Sequence, residues 1–199
     1  MRSLRVCIYG GTDLHASAEA LISAIAHAVL DSIPAVILTG GFIRSKEEKP
    51  NAVSTDLAAL RGARRYADER GVDLQHLFEA WVPEPQLEKH SDVRPARMTE
   101  KDGITLRVIS GRTALGRRLS MVAGVDIAVT ISDKKHTEVV VEQALELGVP
   151  VLPIPDFHGD SEQLLRDYRD RLAAAFNPGA LAMPERAQLI RKSGSHFCG

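Results

Sequence analysis

The sequence predicts an α/β protein with a Rossmann-like, doubly wound, mostly parallel sheet of about five to six strands and helices on both faces. Three observations lead there. Short β-branched runs alternate with longer amphipathic stretches, which is the pattern of successive βαβ units. Glycine pairs close two of the strand runs, at Gly10-Gly11 and Gly40-Gly41, where such a sheet turns into its helices. The 199 residues are 44% hydrophobic and 26% charged, the balance of an ordinary globular chain large enough for one core.

The strand runs, in order, are "LRVCIY" (4–9), "AVILT" (35–39), "TLRVIS" (105–110), "DIAVTI" (126–131) and "PVLPI" (150–154). Helices are expected between them at about 14–31, 54–70, 113–123 and 137–147, and a last one at about 161–176. Residues 81–104 break the alternation with three prolines and many charges. They read as an exposed excursion, either a lid or a mobile insert. Residues 1–176 then form one domain, and 177–199 a C-terminal extension with room for a short docking helix.

The longest apolar stretch, 16–38, is interrupted by Glu19, His27, Asp31 and Pro34, so no membrane span is expected. The N-terminus enters a strand pattern directly, without a secretory apolar region, and the expected compartment is the cytoplasm. Cys7 and Cys198 are far apart in the sequence and are expected to stay reduced. A net charge of -1 gives no global attraction to nucleic acid or to an anionic membrane. No cofactor is expected and no metal: Asp156, His158 and Asp160 in "DFHGD" read as an ordinary polar loop.

In a doubly wound sheet, ligands sit beyond the carboxyl ends of the strands, so four loops are candidates. In "YGGTD" (9–13), the turn at Gly10 and Gly11 can present backbone amides to a phosphate, and Asp13 can cap the next helix. The spacing is not the GxGxxG fingerprint, and a plain tight turn fits equally. In "TGGF" (39–42), Gly40 and Gly41 let the backbone approach a ligand, while Ala58, Ala59, Gly62 and Ala63 bring the next helix close to the sheet. In "SGRTALGRRLSM" (110–121), Arg112, Arg117 and Arg118 are each either a phosphate or carboxylate contact or a solvated side chain. Helical spacing puts Leu115, Leu119 and Val122 on the apolar face, with Arg118 at its border and Arg117 pointing away.

The fourth loop, Ser132, Asp133, Lys134, Lys135 and His136, leads into a helix from Thr137 and carries charge where phosphate cradles carry glycine. Along that helix Val140, Val141, Ala144 and Leu147 share the side of Thr137. Glu138, Glu142 and Glu146 lie opposite, as an exposed row or as candidate catalytic carboxylates.

Together these loops resemble the SLOG superfamily, the Rossmann-like group that includes the LOG phosphoribohydrolases, DprA-type DNA-binding proteins and sensor domains of bacterial antiviral systems. The resemblance covers about residues 4–155. "TGGF" is similar to the family's TGGG turn, and "DLAALRGA" to the helix after it. "RRLSMVAGVDIAVTISDKKHTEVVVEQALELGVPVLPI" is similar to its Arg-Lys-x-x-Met…GGxGTxxE…A…PV segment, with Arg117, Met121, Thr137, Ala144 and Pro150 keeping type and spacing. It departs where Val140 occupies the position of the family's catalytic glutamate, and where Lys134 and His136 replace glycines.

The resemblance implies a binder of a nucleotide-derived ligand: ADP-ribose-like, a cyclic nucleotide or a nucleoside phosphate. Occupancy would change assembly of a homodimer or higher homo-oligomer, as in an antiviral sensor. The alternative is an N-glycosidase, phosphoribohydrolase or deoxyribosyltransferase-like enzyme acting on a nucleotide or NAD. Glu138 or Glu142 would then be nucleophile or base, Asp13 or Asp133 would position the ribose, and Arg117 would hold phosphate. A DprA-like nucleic-acid binder ranks last, because no stripe interleaves arginine with aromatic residues.

Overall fold

Strand runs that are apolar on both sides need cover on both sheet faces, and the helices supply it. The computed structural model describes residues 2–12, 14, 17–43, 53–84, 97–109, 114–131, 137–155 and 160–176. The strands are β1 (Leu4–Gly10), β2 (Ala35–Thr39), β3 (Phe78–Pro83), β4 (Thr105–Ile109), β5 (Ile127–Ile131) and β6 (Val151–Ile154). The helices are α1 (Ser17–Ser32), α2 (Thr55–Arg70), α3 (Ala114–Ala123), α4 (Thr137–Glu146), α5 (Asp160–Asp167) and α6 (Arg169–Phe176). The six strands form one parallel sheet in the order β4-β3-β2-β1-β5-β6, which is the expected fold class.

Two apolar layers flank this sheet. Ile22 and Ala26 of α1 and Ala58, Ala59 and Ala63 of α2 are buried on one face with Ile8, Ile37 and Phe78. Met121 and Val122 of α3, Val140, Val141 and Ala144 of α4, Leu164 and Leu172 are buried on the other with Cys7, Leu38 and Trp81. Helix α2 is fixed at both ends. The Ser54 side chain accepts from the Leu57 amide, and Gly71 takes the left-handed conformation that closes the helix onto Ala67 O.

Two expectations are corrected. The excursion expected from residue 81 begins later, because Trp81, Val82 and Pro83 belong to β3, an interior strand whose six residues are all buried. Its one carboxylate, Glu79, masks the strand pattern. It is neutralised by Arg5 of β1 and Arg107 of β4, and it accepts from Trp81 Nε1 at 3.0 Å. Residues 85–96 of that stretch and the extension 177–199 lie outside the described residues. The last helix, expected as one piece, is two, with the break at Tyr168. Among the described residues no helix is long and apolar enough to cross a membrane.

Close approach of α1 and α2 depends on Gly62, where a Cβ would lie 2.2 Å from the Ser23 carbonyl oxygen and 3.0 Å from Ala26 Cβ. Backbone cannot yield as a long side chain can, so Gly62→Ala must push the helices apart. The expected loss is about 1–3 kcal/mol, read as a lower urea midpoint with an unchanged slope.

Candidate ligand site at the carboxyl edge of the sheet

The chain crosses from β4 at one edge to β5 beside β1, so the loops after β1 and β5 leave the sheet in opposite directions. Such a switch point is where open α/β sheets bind ligands. Gly10 and Ile131 are register partners there. A Cβ on Gly10 would stand 2.4 Å from both the Ile131 carbonyl oxygen and Thr55 Oγ1. The Gly11 carbonyl accepts from the Thr55 amide at 3.0 Å and from its hydroxyl at 2.9 Å. The first glycine pair thus seats the start of α2 on the end of β1.

The second pair brings opposite charges together. Helix α2 reaches the end of β2 from one face and α3 from the other, and Gly40 stands between them. A Cβ at Gly40 would lie 2.8 Å from Arg117 Nη1 and 3.2 Å from Asp56 Oδ2. Gly41 follows with φ of 73°, a left-handed conformation that suits glycine. The chain then places Phe42 so that its amide donates to Asp56 Oδ2 at 2.8 Å and its carbonyl accepts from Ser54 Oγ at 2.6 Å. Arg97, where the chain returns from the excursion, bridges antiparallel to Phe42. Its Nη1 donates to the Gly40 carbonyl at 3.3 Å, and Met98 N donates to Gly41 O at 2.8 Å.

Arg117 is not on the outer side of α3, as helical spacing suggested. It is 1% exposed while Leu115 is 43% exposed. Its Nη1 donates to the Trp81 carbonyl at 2.9 Å, its Cζ lies 5.4 Å from the Phe42 ring centroid, and its Nε is buried with no hydrogen-bond partner. Burial, and after it the positive charge of Arg97, lowers its pKa to about 10, with Asp56 pulling the other way. It therefore remains a buried cation at neutral pH. Arg118 beside it is half-buried, and its Nε is also unpartnered. Beneath this cluster Cys7 is fully buried. Desolvation, then the charge of Asp56, pushes its thiol up to about 12, so it is no nucleophile.

At the start of α4, Thr137 is fully buried and its hydroxyl has no partner. Val140, which the SLOG resemblance aligns with that superfamily's catalytic glutamate, is fully buried in the apolar layer. Glu138 is exposed, and Glu142 accepts a hydrogen bond from Tyr168 Oη at 2.7 Å. Glu146 pairs with Arg171 at 3.2 Å. The glutamate row therefore runs along α6 and solvent. Asp13, Arg112 and the loop Ser132, Asp133, Lys134, Lys135 and His136 lie outside the described residues, as do Asp156 and His158. Gly40, Gly41 and Arg117 are brought together. Asp56, Phe42 and Arg97 join them without having been singled out in the sequence, although Asp56 stands in the first turn of α2 and Phe42 ends the glycine turn.

Compared with known proteins, the chain matches no family model and no curated protein. Solved structures share its fold. TM1055, a structural-genomics target, aligns over 84% of each chain with a TM-score of 0.59 at 13% identity. A molybdenum cofactor binding protein from Rippkaea orientalis aligns over 97% of this chain and 98% of its own, with a TM-score of 0.53 at 16% identity. The molybdenum cofactor carrier protein of Chlamydomonas reinhardtii covers 75% of each chain with a TM-score of 0.47 at 17% identity. At these identities the first two establish the Rossmann-like fold of the chain.

The Tyr168–Glu142 contact makes a pH prediction. Burial, then the hydrogen bond to Glu142, raises the Tyr168 pKa above its usual 10. The unfolded chain ionises there first, so stability is complete below about pH 10 and falls as pH rises toward the folded value. Denaturant midpoints at pH 9 and pH 11 are expected to differ more in the wild-type protein than in Tyr168→Phe.

Proposed function

We propose that the carboxyl edge of this sheet binds a phosphate-bearing, nucleotide-derived ligand and that the chain is a SLOG-type binding domain rather than a catalyst. The observation that carries this reading is Arg117, a buried cation held against the Gly40 turn with its Nε unpaired. A buried donor left without a partner costs about 1–3 kcal/mol, which a bound oxyanion recovers. The buried Thr137 hydroxyl, also unpaired at the start of α4, supports the same ligand, because a helix start adds amides and partial positive charge.

ADP-ribose-like compounds, cyclic nucleotides and nucleoside phosphates are the ligand classes. A cytoplasmic sensor whose occupancy changes homo-oligomerisation, as in antiviral defence, is the role that the SLOG resemblance suggests. Binding is favoured over N-glycoside cleavage because Val140 stands where the family has its glutamate, while Glu142 is engaged by Tyr168. Glycosidic cleavage needs a carboxyl group within reach of the reacting atoms.

Thermal melting with ADP-ribose, AMP and cyclic nucleotides tests the reading. Since one fold neighbour is described as a molybdenum cofactor binding protein, that cofactor belongs in the same panel. At least one ligand is expected to raise Tm, and Arg117→Lys, which keeps charge but loses the planar fork, to weaken it about tenfold or more. No shift with any of them would sink the proposal. Chromatography of NAD, AMP and nucleosides after incubation is expected to show no free base. Base release abolished by Glu138→Gln or Glu142→Gln would establish the enzyme instead.

A further inference from the structure

We propose that β4 is the self-association edge of this chain: two copies pair their β4 strands antiparallel about a two-fold axis at Val108, joining two sheets into one. The inference goes beyond the ligand reading and stands whether or not the carboxyl edge binds a nucleotide.

Parallel sheets are ordinarily covered by helices on both faces, and β4 departs from that rule. Its neighbour β3 is buried throughout, yet Thr105, Arg107 and Val108 are exposed, Val108 at 47%. Arg107 and Val108 are consecutive and so point to opposite faces of the sheet; the exposure of both means that neither face of β4 is fully covered. Its principal packing partner is β3. Among the described residues no strand pairs with its other side, and an edge of that kind presents backbone N–H and C=O groups to any strand that can reach them.

The two edges of the sheet are finished differently. Strand β6 carries Pro153, and α5 and α6 pack against it; proline and helix cover are both ways of blunting an edge. Strand β4 has no proline, and apart from Arg107 its residues are β-branched or apolar. A charge can also guard an edge, but Arg107 is turned back over its own sheet. Its Nη2 pairs with Glu79 Oε1 at 3.2 Å, and its Cζ lies 5.0 Å from the Trp81 ring centroid. Neutralised and folded inward, it leaves the edge open to another strand.

A second copy fits this edge because a two-fold axis completes both strands at once, each supplying the ladder that the other lacks. Charge sets the register. An axis at Arg107 would place two guanidinium groups directly opposite each other, which is unfavourable. An axis at Val108 places that valine against its own copy, a β-branched pair, and Arg107 against Ile109 of the second copy, whose half-buried side chain the arginine stem can cover. Five residues make a small interface, so the dimer is expected to be reversible and concentration-dependent.

Sedimentation of the full chain over a dilution series tests this. The wild-type protein is expected to pass from monomer to dimer as concentration rises. Val108→Lys, which sets two ammonium groups at the axis, is expected to weaken association about tenfold or more, whereas Val108→Thr, which keeps the β-branch, should stay within about threefold of wild type. Melting curves of both variants at the lowest concentration establish folding, since a change at so exposed a position should leave the monomer nearly as stable as wild type. For the register, single cysteines are introduced into a Cys198→Ser background and oxidised mildly, Cys7 being buried. Val108→Cys is expected to give a disulfide-linked dimer and Thr105→Cys none, because the two copies of position 105 would then stand about 20 Å apart. A wild-type chain that stays monomeric at its highest soluble concentration overturns the proposal. So does a dimer that Val108→Lys leaves intact, or one that crosslinks at 105 and not at 108, since either puts the contact elsewhere. Dimerisation that appears only after removal of residues 177–199 overturns it too, because the chain's own extension would then occupy the edge.

Discussion

A cation from one helical layer and a carboxylate from the other converge on a single strand end. Arg117 of α3 and Asp56 of α2 can both approach β2 only because Gly40 has no side chain to separate them. The convergence constrains the surrounding architecture. Helix α2 must start close enough to β1 for Thr55 to bond the Gly11 carbonyl, and α3 must turn its arginine inward to reach the Trp81 carbonyl. Buried charges are tolerated where they are paired or hydrogen-bonded, and here Arg117 bonds the Trp81 carbonyl and Asp56 the Phe42 amide, with the negative charge of Asp56 supporting Arg117 across the strand end.

Fold class was readable because hydrophobic periodicity reports which surfaces are covered, and five of the strands are mainly apolar, β-branched runs. Strand β3 was not, since "FEAWVP" carries a glutamate and ends in proline. Its burial depends on Arg5 and Arg107 from strands distant in sequence, and local composition contains nothing of that. The same blindness misplaced Leu115 and Arg117 on α3, while Val122 is buried as expected. Periodicity assigns leucine inward and arginine outward, whereas a carbonyl, an aromatic ring and a carboxylate from three other elements hold Arg117 inside and leave Leu115 exposed. Of the five residues that keep the type and spacing of the family motif, Arg117, Met121, Thr137 and Ala144 are buried and Pro150 is half-buried.

The candidate site was legible in its glycines and less so in its charges. Gly40 and Gly41 announce a close approach, but the sequence does not say what approaches. Asp56 looks like an ordinary first-turn acid favouring the helix dipole, yet it accepts from the Phe42 amide and stands opposite Arg117. Arg97 sits in a stretch dismissed as an exposed excursion, and only the antiparallel bridge to Phe42 returns it to the sheet.

The chemistry such a site can perform follows from which groups are spent and which are spare. Of the carboxylates on the described helices, Asp56 accepts from an amide, Glu142 from a tyrosine and Glu138 is exposed, while Val140 presents only methyl groups to the apolar layer. Spare capacity lies on the donor side, in the Nε of Arg117 and the hydroxyl of Thr137. Rigid, dry, unpaired donors are costly in the free protein, and that cost is what an anion removes on binding. On the binding reading proposed above, unsatisfied donors gain free energy by holding an oxyanion.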